Sequence, residues 1–190
     1  MSEETFDRLH EFDRVDESED AQQLIDFLAW VESKPSVIAR RTRSYELLGV
    51  RQGALVAEIG CGIGSVLGDL LRLGAQAVGV DSSEAMIREA ARRVPGAKLH
   101  VADAAALPFE NGILSGYRAE RVYQHLADPK PALVEAMRTL ESGGRIVLVD
   151  QDWDAFVVDG DDRQTTRSML RGFADSIPNG WAGRNGAASP

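Results

Sequence analysis

Glycine occupies every second position of one short segment, 60–64, which lies between a predicted strand and a predicted helix. A glycine has no Cβ, so the backbone can turn sharply there and a ligand can approach it closely. Asp81 follows the next predicted strand, 21 residues after Gly60. A carboxylate in that place can accept hydrogen bonds from both hydroxyls of a ribose. The glycines and Asp81 together predict a site for a ligand that contains a nucleoside.

Two classes of nucleoside cofactor suit such a site, and the spacing of the glycines separates them. A dinucleotide loop needs the pattern G-x-G-x-x-G, so that the helix packs closely and its N-terminus receives a pyrophosphate. Counted from Gly60 the sixth position is Ser65, and counted from Gly62 it is Leu67, so neither frame fits. Glu58 precedes the loop and suits a cation better than a pyrophosphate. S-adenosylmethionine, which is cationic and carries no phosphate, is therefore favoured, and an NAD-dependent oxidoreductase is the less favoured alternative.

Strands and helices alternate from about residue 53 to residue 150, and this alternation must position the site. The predicted strands cover residues 54–59, 76–80, 98–102, 112–117 and 145–149. Alternation of this kind requires crossover connections, so it predicts an α/β fold with a doubly wound, mostly parallel sheet. Ser115 and Gly116 are poor strand residues, which predicts weak pairing in the fourth strand. The carboxyl ends of parallel strands meet at one edge of the sheet, which brings Glu58 and Asp81 together.

Five segments of the chain match, in order, the motifs of a known family. They resemble the class I S-adenosylmethionine-dependent methyltransferases, especially the small-molecule group that includes the enzymes of ubiquinone and menaquinone biosynthesis. The segments are VAEIGCGIG (56–64), GVDSSEAM (79–86), ADAAALPF (102–109), RAERVYQHL (118–126) and LESGGRI (140–146). The resemblance implies a Rossmann-like fold, S-adenosylmethionine as the cofactor and a small molecule as the methyl acceptor.

The same resemblance implies which residues contact the cofactor. At the methionine end these are Glu58, Gly60, Cys61, Gly62 and Arg118, and around the adenosine they are Asp81, Ser82, Met86, Asp103 and Ala104. Asp81 is expected to bind the ribose and Asp103 the adenine amino group. Cys61 is expected to pack within the loop rather than act as a nucleophile.

Methyl transfer from a sulfonium is an in-line displacement in which the protein mainly aligns the reactants. An oxygen or nitrogen acceptor can also need a base. His125 is the candidate, because the pKa of a histidine lies near neutrality; a structural role for it stays open. Asp150, Asp152 and Asp154 follow the fifth strand, but such carboxylates are more often solvated, so no metal site is predicted.

The chain departs from the family pattern at its C-terminal end. The family fold adds two strands after the fifth helix, but here strands 6 and 7 are missing from the sequence pattern after residue 176. The fifth strand would then expose an edge, which a second copy of the chain could cover. This departure keeps open a second function, that of a truncated, non-catalytic domain that binds S-adenosylmethionine or regulates.

Four regions are predicted along the chain. They are an acidic, flexible arm (1–20), an N-terminal helical lid (21–50), the cofactor-binding core (51–177) and an irregular tail (178–190). The arm holds nine acids and two bases and is either solvated or a lid segment over the cleft. In the lid, Trp30 and Tyr45 are expected either to join the core or to cap the acceptor pocket. The cluster Arg40, Arg41 and Arg43 is interpreted as a solvated helix face.

Composition excludes several functional classes. The 190 residues carry a net charge of −9, with 44% hydrophobic and 27% charged residues, as in ordinary globular proteins. There is no apolar run of the roughly 20 residues that a membrane helix needs, and the acidic start does not resemble a signal peptide. No basic stripe suits a nucleic acid. One cysteine, Cys61, excludes an internal disulfide. We therefore expect a soluble, cytoplasmic protein that binds neither membranes nor nucleic acid.

Overall fold

The computed structural model describes residues 15–17 and 21–185. Its helices are α1 (Ala21–Glu32), α2 (Pro35–Leu48), α3 (Ser65–Arg72), α4 (Glu84–Arg93), α5 (Lys130–Thr139), α6 (Arg163–Ser176) and α7 (Ala182–Asn185). Its strands are β1 (Leu55–Ile59), β2 (Gln76–Asp81), β3 (Lys98–Val101), β4 (Leu114–Glu120) and β5 (Leu140–Val149). Single 3-10 turns lie within the arm at Val15–Glu17, after β4 at Tyr123–His125 and after β5 at Trp153–Ala155.

The described strands form one sheet in the order β3-β2-β1-β4-β5, and every neighbouring pair is parallel. Helices cover both faces, so the predicted doubly wound α/β fold is confirmed. The strand order reverses between β1 and β4. In sheets of this kind ligands bind outside the carboxyl ends of the strands at such a reversal.

Strand β4 lies between β1 and β5 and pairs with both from Gly116 onward, although its sequence predicts weak pairing. Gly116 is there because α2 passes close to it: a Cβ at this position would lie 3.2 Å from Leu48 and 3.3 Å from Val56. The glycine that predicted a weak strand therefore serves helix–sheet packing.

Strand β5 begins earlier than predicted, at Leu140 instead of Arg145. Its pairing with β4 shifts register between Leu114 and Gly116, where Leu140 and Arg145 are the respective partners. Gly143 has φ +84° within this irregular stretch. The Ser-Gly-Gly segment that predicted a turn before the strand is thus a bulge inside it.

Beyond β5 the described residues contain helices but no further strand, as predicted, so the outer edge of β5 has no strand partner within them. The start of the predicted tail is anchored: the Asn179 backbone N–H donates to the Gln124 carbonyl at 2.9 Å. Within the part of the chain that the structure describes, no helix combines the length and apolar content needed to cross a membrane.

The N-terminal segments lie over the glycine loop. Val15 is 2% exposed and packs in a cluster with Leu28 of α1, Ile63 of the loop and Met86 of α4. The next residue, Asp16, accepts hydrogen bonds at the first turn of α4. These two residues of the predicted flexible arm are therefore packed, and most of the arm lies outside the described residues.

Candidate active site

A cavity of about 490 Å³ opens at the carboxyl ends of the strands, within the usual size range of small-molecule sites. The sequence-predicted residues that line it are Glu58, Gly60, Cys61, Gly62, Asp81, Ser82, Met86, Asp103, Ala104 and His125. Helix α1 of the predicted lid contributes Phe27, Leu28, Val31 and Glu32 to the same lining. The fold therefore brings residues from five separate sequence segments to one site.

The glycine loop after β1 takes a backbone path that other residues would resist. Gly60, Gly62 and Gly64 have φ values of +63°, +50° and +83°. A Cβ on Gly60 would lie 2.3 Å from a methyl carbon of Val122, so the chain after β4 packs directly against the bare backbone. A side chain at Gly60 would push these two segments apart at the floor of the cavity.

Asp81 ends β2 and is fixed by the loop it faces. Its Oδ2 accepts the backbone N–H of Gly62 at 2.8 Å, and its Oδ1 accepts that of Ser83 at 3.0 Å. Burial raises the pKa of Asp81, while these N–H groups act in the opposite direction. A carboxylate has about four acceptor positions. Asp81 therefore keeps capacity to accept further hydrogen bonds from a ligand in the cavity.

Three other candidates surround the Asp81 end of the cavity. Met86 is 3% exposed and forms part of its wall, and Ser82 follows Asp81 directly. Asp103 lies at the exposed rim, where its Oδ1 accepts the backbone N–H of Ala105 at 2.7 Å. This end therefore combines an apolar wall with carboxylates at its base and rim.

At the other end, Glu58 presents one unsatisfied oxygen. Its Oε1 accepts a hydrogen bond from Arg118 at 2.5 Å. Its Oε2 is buried and has no hydrogen-bond partner among the described residues. Burial raises the pKa of Glu58 to about 8, although Arg118 acts to lower it. A buried acceptor without a partner costs free energy, so this oxygen is suited to a donor that enters the cavity.

His125 lies in the 3-10 turn after β4 and lines the cavity. Its Nε2 lies 3.0 Å from Nε2 of Gln124, whose Oε1 accepts the indole N–H of Trp153 at 3.2 Å. The turn that carries His125 is thereby tied to the segment after β5.

The model of a family described as a methyltransferase domain matches residues 57–148. An uncharacterized 37.1 kDa protein in transposon Tn4556 from Streptomyces fradiae is 38% identical over 146 residues, which are 73% of this chain and 42% of that protein. A demethylmenaquinone methyltransferase from Beutenbergia cavernae is 29% identical over 58% of this chain and 46% of its own length. The crystal structure of the YcgJ protein from Bacillus subtilis is 25% identical, with a TM-score of 0.54 over 58% of this chain and 50% of that one.

Residues 57–148 therefore form a methyltransferase domain, and they have the fold of the class I S-adenosylmethionine-dependent methyltransferases. The predicted resemblance is thus confirmed over this segment. The chain spans less than half the length of the two curated relatives above, 42% and 46%.

Arg118 is the one predicted contact of the methyltransferase that does not line the cavity. Its side chain is fully buried at 0% exposure, and its guanidinium is occupied by Glu58, Glu120 and Ser44. The expectation that it faces the methionine end directly is therefore wrong. Arg118 lies behind Glu58, because a guanidinium at this depth needs buried acceptors on all sides.

Several residues that line the cavity were missed from the sequence. They are the charged residues Glu32, Arg41, Glu120 and Arg121 and the aromatic residues Phe27, Trp153 and Phe156. Arg121 carried a signal only in the structure, where it has φ +59°, rare for a residue other than glycine. The aromatic residues lie in segments without a recognisable motif.

The two aromatic residues that were expected to join the core or cap the acceptor pocket do not line the cavity. Trp30 is 52% exposed, with the Lys34 ammonium 3.6 Å from its ring centre. Tyr45 is on the buried face of α2, and its hydroxyl donates to Asp69 at 2.8 Å. Tyr45 therefore joins the core, whereas Trp30 lies on the surface.

Proposed function

We propose that this chain binds S-adenosylmethionine in the cavity and transfers its methyl group to a small molecule. The observation that carries the proposal is the buried, unpartnered Oε2 of Glu58. An ammonium group would supply the missing donor in a charge-assisted hydrogen bond. A nucleoside with a cationic amino acid tail would place that ammonium at Glu58 and its ribose at Asp81.

The two ends of the cavity fit the two ends of this cofactor. Asp81 keeps acceptor capacity for ribose hydroxyls, and Asp103 at the rim suits the adenine amino group. The positive φ values of Gly60 and Gly62 turn the loop sharply at the end of β1, so that its backbone lines the cavity beside Glu58 and can contact the methionine part. We infer that Glu58, Gly60, Cys61 and Gly62 line the methionine part, and that Ser82, Met86 and Ala104 surround the adenosine.

The remaining lining suits a small acceptor with apolar surface. Trp153 and Phe156 stack with ring centres 4.9 Å apart at an angle of 15°, and Phe27 lines the cavity from α1. Such rings bind flat apolar groups. Relatives named as demethylmenaquinone methyltransferases support a small-molecule acceptor. The identity of the acceptor and the atom that is methylated are left open by this lining.

The reaction needs alignment more than chemical assistance. When bound, S-adenosylmethionine supplies a methyl carbon that an acceptor lone pair attacks in line, while the electron pair of the broken C–S bond stays on sulfur. Glu58 and Asp81 would fix the two ends of the donor, and α1 with Trp153 and Phe156 would exclude water. Such positioning can contribute roughly 7–11 kcal/mol. For a hydroxyl acceptor, His125 of the cavity lining would accept the released proton.

Calorimetry tests the proposal. We expect saturable binding of S-adenosylhomocysteine and none of NAD. The isosteric variant Glu58→Gln should lose roughly 10–100-fold in affinity, since a charge-assisted hydrogen bond is worth about 1.5–3 kcal/mol. The control Glu46→Gln removes an exposed partner of Arg43 on α2 and should bind like the wild type.

A turnover assay with a labelled methyl donor and a panel of small acceptors then separates an enzyme from a binding domain. Methylated product from the wild type supports the proposal. Tight binding without product from any acceptor would favour the non-catalytic alternative. No affinity for S-adenosylhomocysteine would overturn both.

A further inference from the structure

The Glu58 carboxylate is the part of a buried network of charged side chains that faces the cavity. Behind it, Arg118 donates from Nη1 to Glu58 at 2.5 Å, from Nη2 to Glu120 at 2.7 Å and from Nε to Ser44 at 2.7 Å. All three acceptors are nearly inaccessible, at 2%, 7% and 2% exposure. The planar guanidinium with three such partners has little freedom to move.

Glu120 connects this arginine to α2. Its Oε2 accepts from Arg41 Nε at 3.1 Å as well as from Arg118, and its Oε1 accepts from Arg40 Nη2 at 2.7 Å. Since Oε1 also accepts from Arg40 Nε at 3.2 Å, each of the two carboxylate oxygens accepts two hydrogen bonds. With three arginines around it, the pKa of Glu120 lies at about 2 despite its burial.

Glu32 extends the network to α1 and to the helix after the glycine loop. Its Oε1 lies 2.7 Å from Arg41 Nη2, and its Oε2 accepts from the Ser65 hydroxyl at 2.5 Å. Ser65 is the first residue of α3. Ion pairs thus join α1, α2 and the end of β4 at one end of the cavity, and a hydrogen bond adds the start of α3.

A network of this kind is a poor source of stability. Taking charges out of water costs several kcal/mol per ion, and apolar replacements of buried ion pairs are often neutral or stabilising. A fixed buried guanidinium does, however, determine where a neighbouring carboxylate points and whether it is charged. The arrangement therefore suits positioning of Glu58 better than it suits stabilisation.

We propose that Arg118 is a positioning residue for the cofactor: held by Glu120 and α2, it aims the free oxygen of Glu58 at the ammonium of the methionine part and keeps that carboxylate ionised when the ammonium binds. The proposal rests on the function proposed above. Arg118 itself does not touch the cofactor. Arg118 affects only the binding of the amino acid part of the cofactor, whereas Asp81 binds the adenosine part.

Two ligands that differ at the amino acid end test this division of labour. S-adenosylhomocysteine carries the ammonium, whereas 5′-methylthioadenosine keeps the adenosine and lacks the amino acid altogether. For Arg118→Met we expect calorimetry to show an affinity for S-adenosylhomocysteine that is roughly 10-fold lower or more, and an affinity for 5′-methylthioadenosine within about twofold of the wild type. An equal loss for both ligands would show a merely structural role and overturn the proposal.

A double-variant cycle tests whether Arg118 acts through Glu58. In the Glu58→Gln background, adding Arg118→Met should change the affinity for S-adenosylhomocysteine by less than about twofold, because the carboxylate to be positioned is gone. Independent, multiplying losses would mean that Arg118 acts by another route, and would also overturn the proposal.

Two further variants keep the test decisive. Arg118→Lys keeps the positive charge but loses the planar guanidinium, so it should fold. Its affinity for S-adenosylhomocysteine should fall by an intermediate amount, and its affinity for 5′-methylthioadenosine should not change. If Arg118→Met does not fold, the lysine variant alone decides the test. Arg145→Met is the matched control, since Arg145 lies in the neighbouring strand β5 and bonds to the Leu47 carbonyl outside the cavity. If the wild type bound 5′-methylthioadenosine and S-adenosylhomocysteine equally well, the cofactor site would stand and the role of Glu58 and Arg118 would fall.

Discussion

The two ends of the cavity hold their carboxylates in different ways. At the end that we propose binds adenosine, Asp81 is fixed by backbone N–H groups of Gly62 and Ser83, which are close in the fold and belong to recognisable motifs. At the methionine end, Glu58 is fixed by Arg118, which lies 60 positions away in the sequence. One end is built from local backbone, the other from side chains that the whole fold assembles.

This difference decides how each end should respond to substitution. A carboxylate held by backbone donors can be altered only at its own position or by moving the loop. A carboxylate held through a chain of side chains is sensitive to residues that do not line the cavity, such as Arg118. Substitutions at the adenosine end should therefore weaken binding strongly, but only at a few positions. At the methionine end, substitutions at many positions should weaken binding by smaller amounts.

The largest expected effect comes from Asp81→Ala. Losing the acceptor for two ribose hydroxyls should weaken binding of both S-adenosylhomocysteine and 5′-methylthioadenosine by roughly 100-fold or more, because hydrogen bonds to a charged group are worth about 1.5–3 kcal/mol each. Calorimetry with the two ligands measures this. The loss should be equal for both, in contrast to the selective loss at Arg118.

Asp159→Ala is a suitable control for this variant, since Asp159 is exposed and does not line the cavity. A loss confined to S-adenosylhomocysteine would contradict the assignment of Asp81 to the ribose. It would also remove the distinction between the two ends.

The second-largest expected effect is the release of a proton from Glu58 when the ligand binds. Burial raises the pKa of Glu58 to about 8, although Arg118 acts to lower it, so this carboxyl holds a proton more readily than an ordinary glutamate does at pH 7. An ammonium opposite it favours the ionised form, so binding of S-adenosylhomocysteine should release protons. The charged or titratable groups that surround Glu58 are Arg118, Glu120, Arg41, Tyr45, Tyr117 and Cys61.

Calorimetry at pH 7 in two buffers with different ionisation enthalpies counts the released protons. Glu58→Gln should abolish the release, which separates Glu58 from the other groups. Binding of 5′-methylthioadenosine should release far less than S-adenosylhomocysteine does. The same heat in both buffers for the wild type would show that Glu58 is already ionised without the cofactor, against the prediction.

Much of the adenosine end could be predicted from the sequence, because its parts are short motifs next to strand ends. The spacing from Gly60 to Asp81 and the strand–helix alternation determine where the loop and the carboxylate meet. The parallel sheet is confirmed for the same reason. The ends of the strands could not be predicted as well. Strand β5 begins at Leu140 because a bulge accommodates Gly143, and the sequence periodicity does not reveal a bulge.

The methionine end could not be predicted in the same way. Arg41 was interpreted as part of a solvated helix face, yet it is 5% exposed, while its neighbour Arg43 is exposed and pairs with Glu46. Helical spacing does not tell which of two nearby arginines faces inward when the inward partners, Glu32 and Glu120, lie on other elements. Pairing between distant charges is a property of the assembled fold.

The smallest expected effect lies just outside the cavity, where the arm supports the adenosine end. The Asp16 carboxylate accepts the backbone N–H of Glu84 at 2.8 Å, that of Ala85 at 2.9 Å and the Ser83 hydroxyl at 2.9 Å. These N–H groups belong to the first turn of α4, which has no partners for them within the helix. Burial would raise the pKa of Asp16, but these donors together lower it.

Asp16→Ala should therefore reduce the free energy of unfolding by about 1 kcal/mol, the usual size of a lost helix cap, and weaken S-adenosylhomocysteine binding by less than about threefold. Because the pKa is lowered in the folded state, this stabilisation is present above the ordinary pKa of an aspartate and is lost as the pH falls through the folded value. Urea unfolding at pH 7 and at pH 3 measures the free energy of unfolding. The difference between the variant and the wild type should be smaller at pH 3. A large loss of binding with unchanged stability would instead make the arm a lid that touches the ligand, and the adenosine end would then share the distributed character of the methionine end.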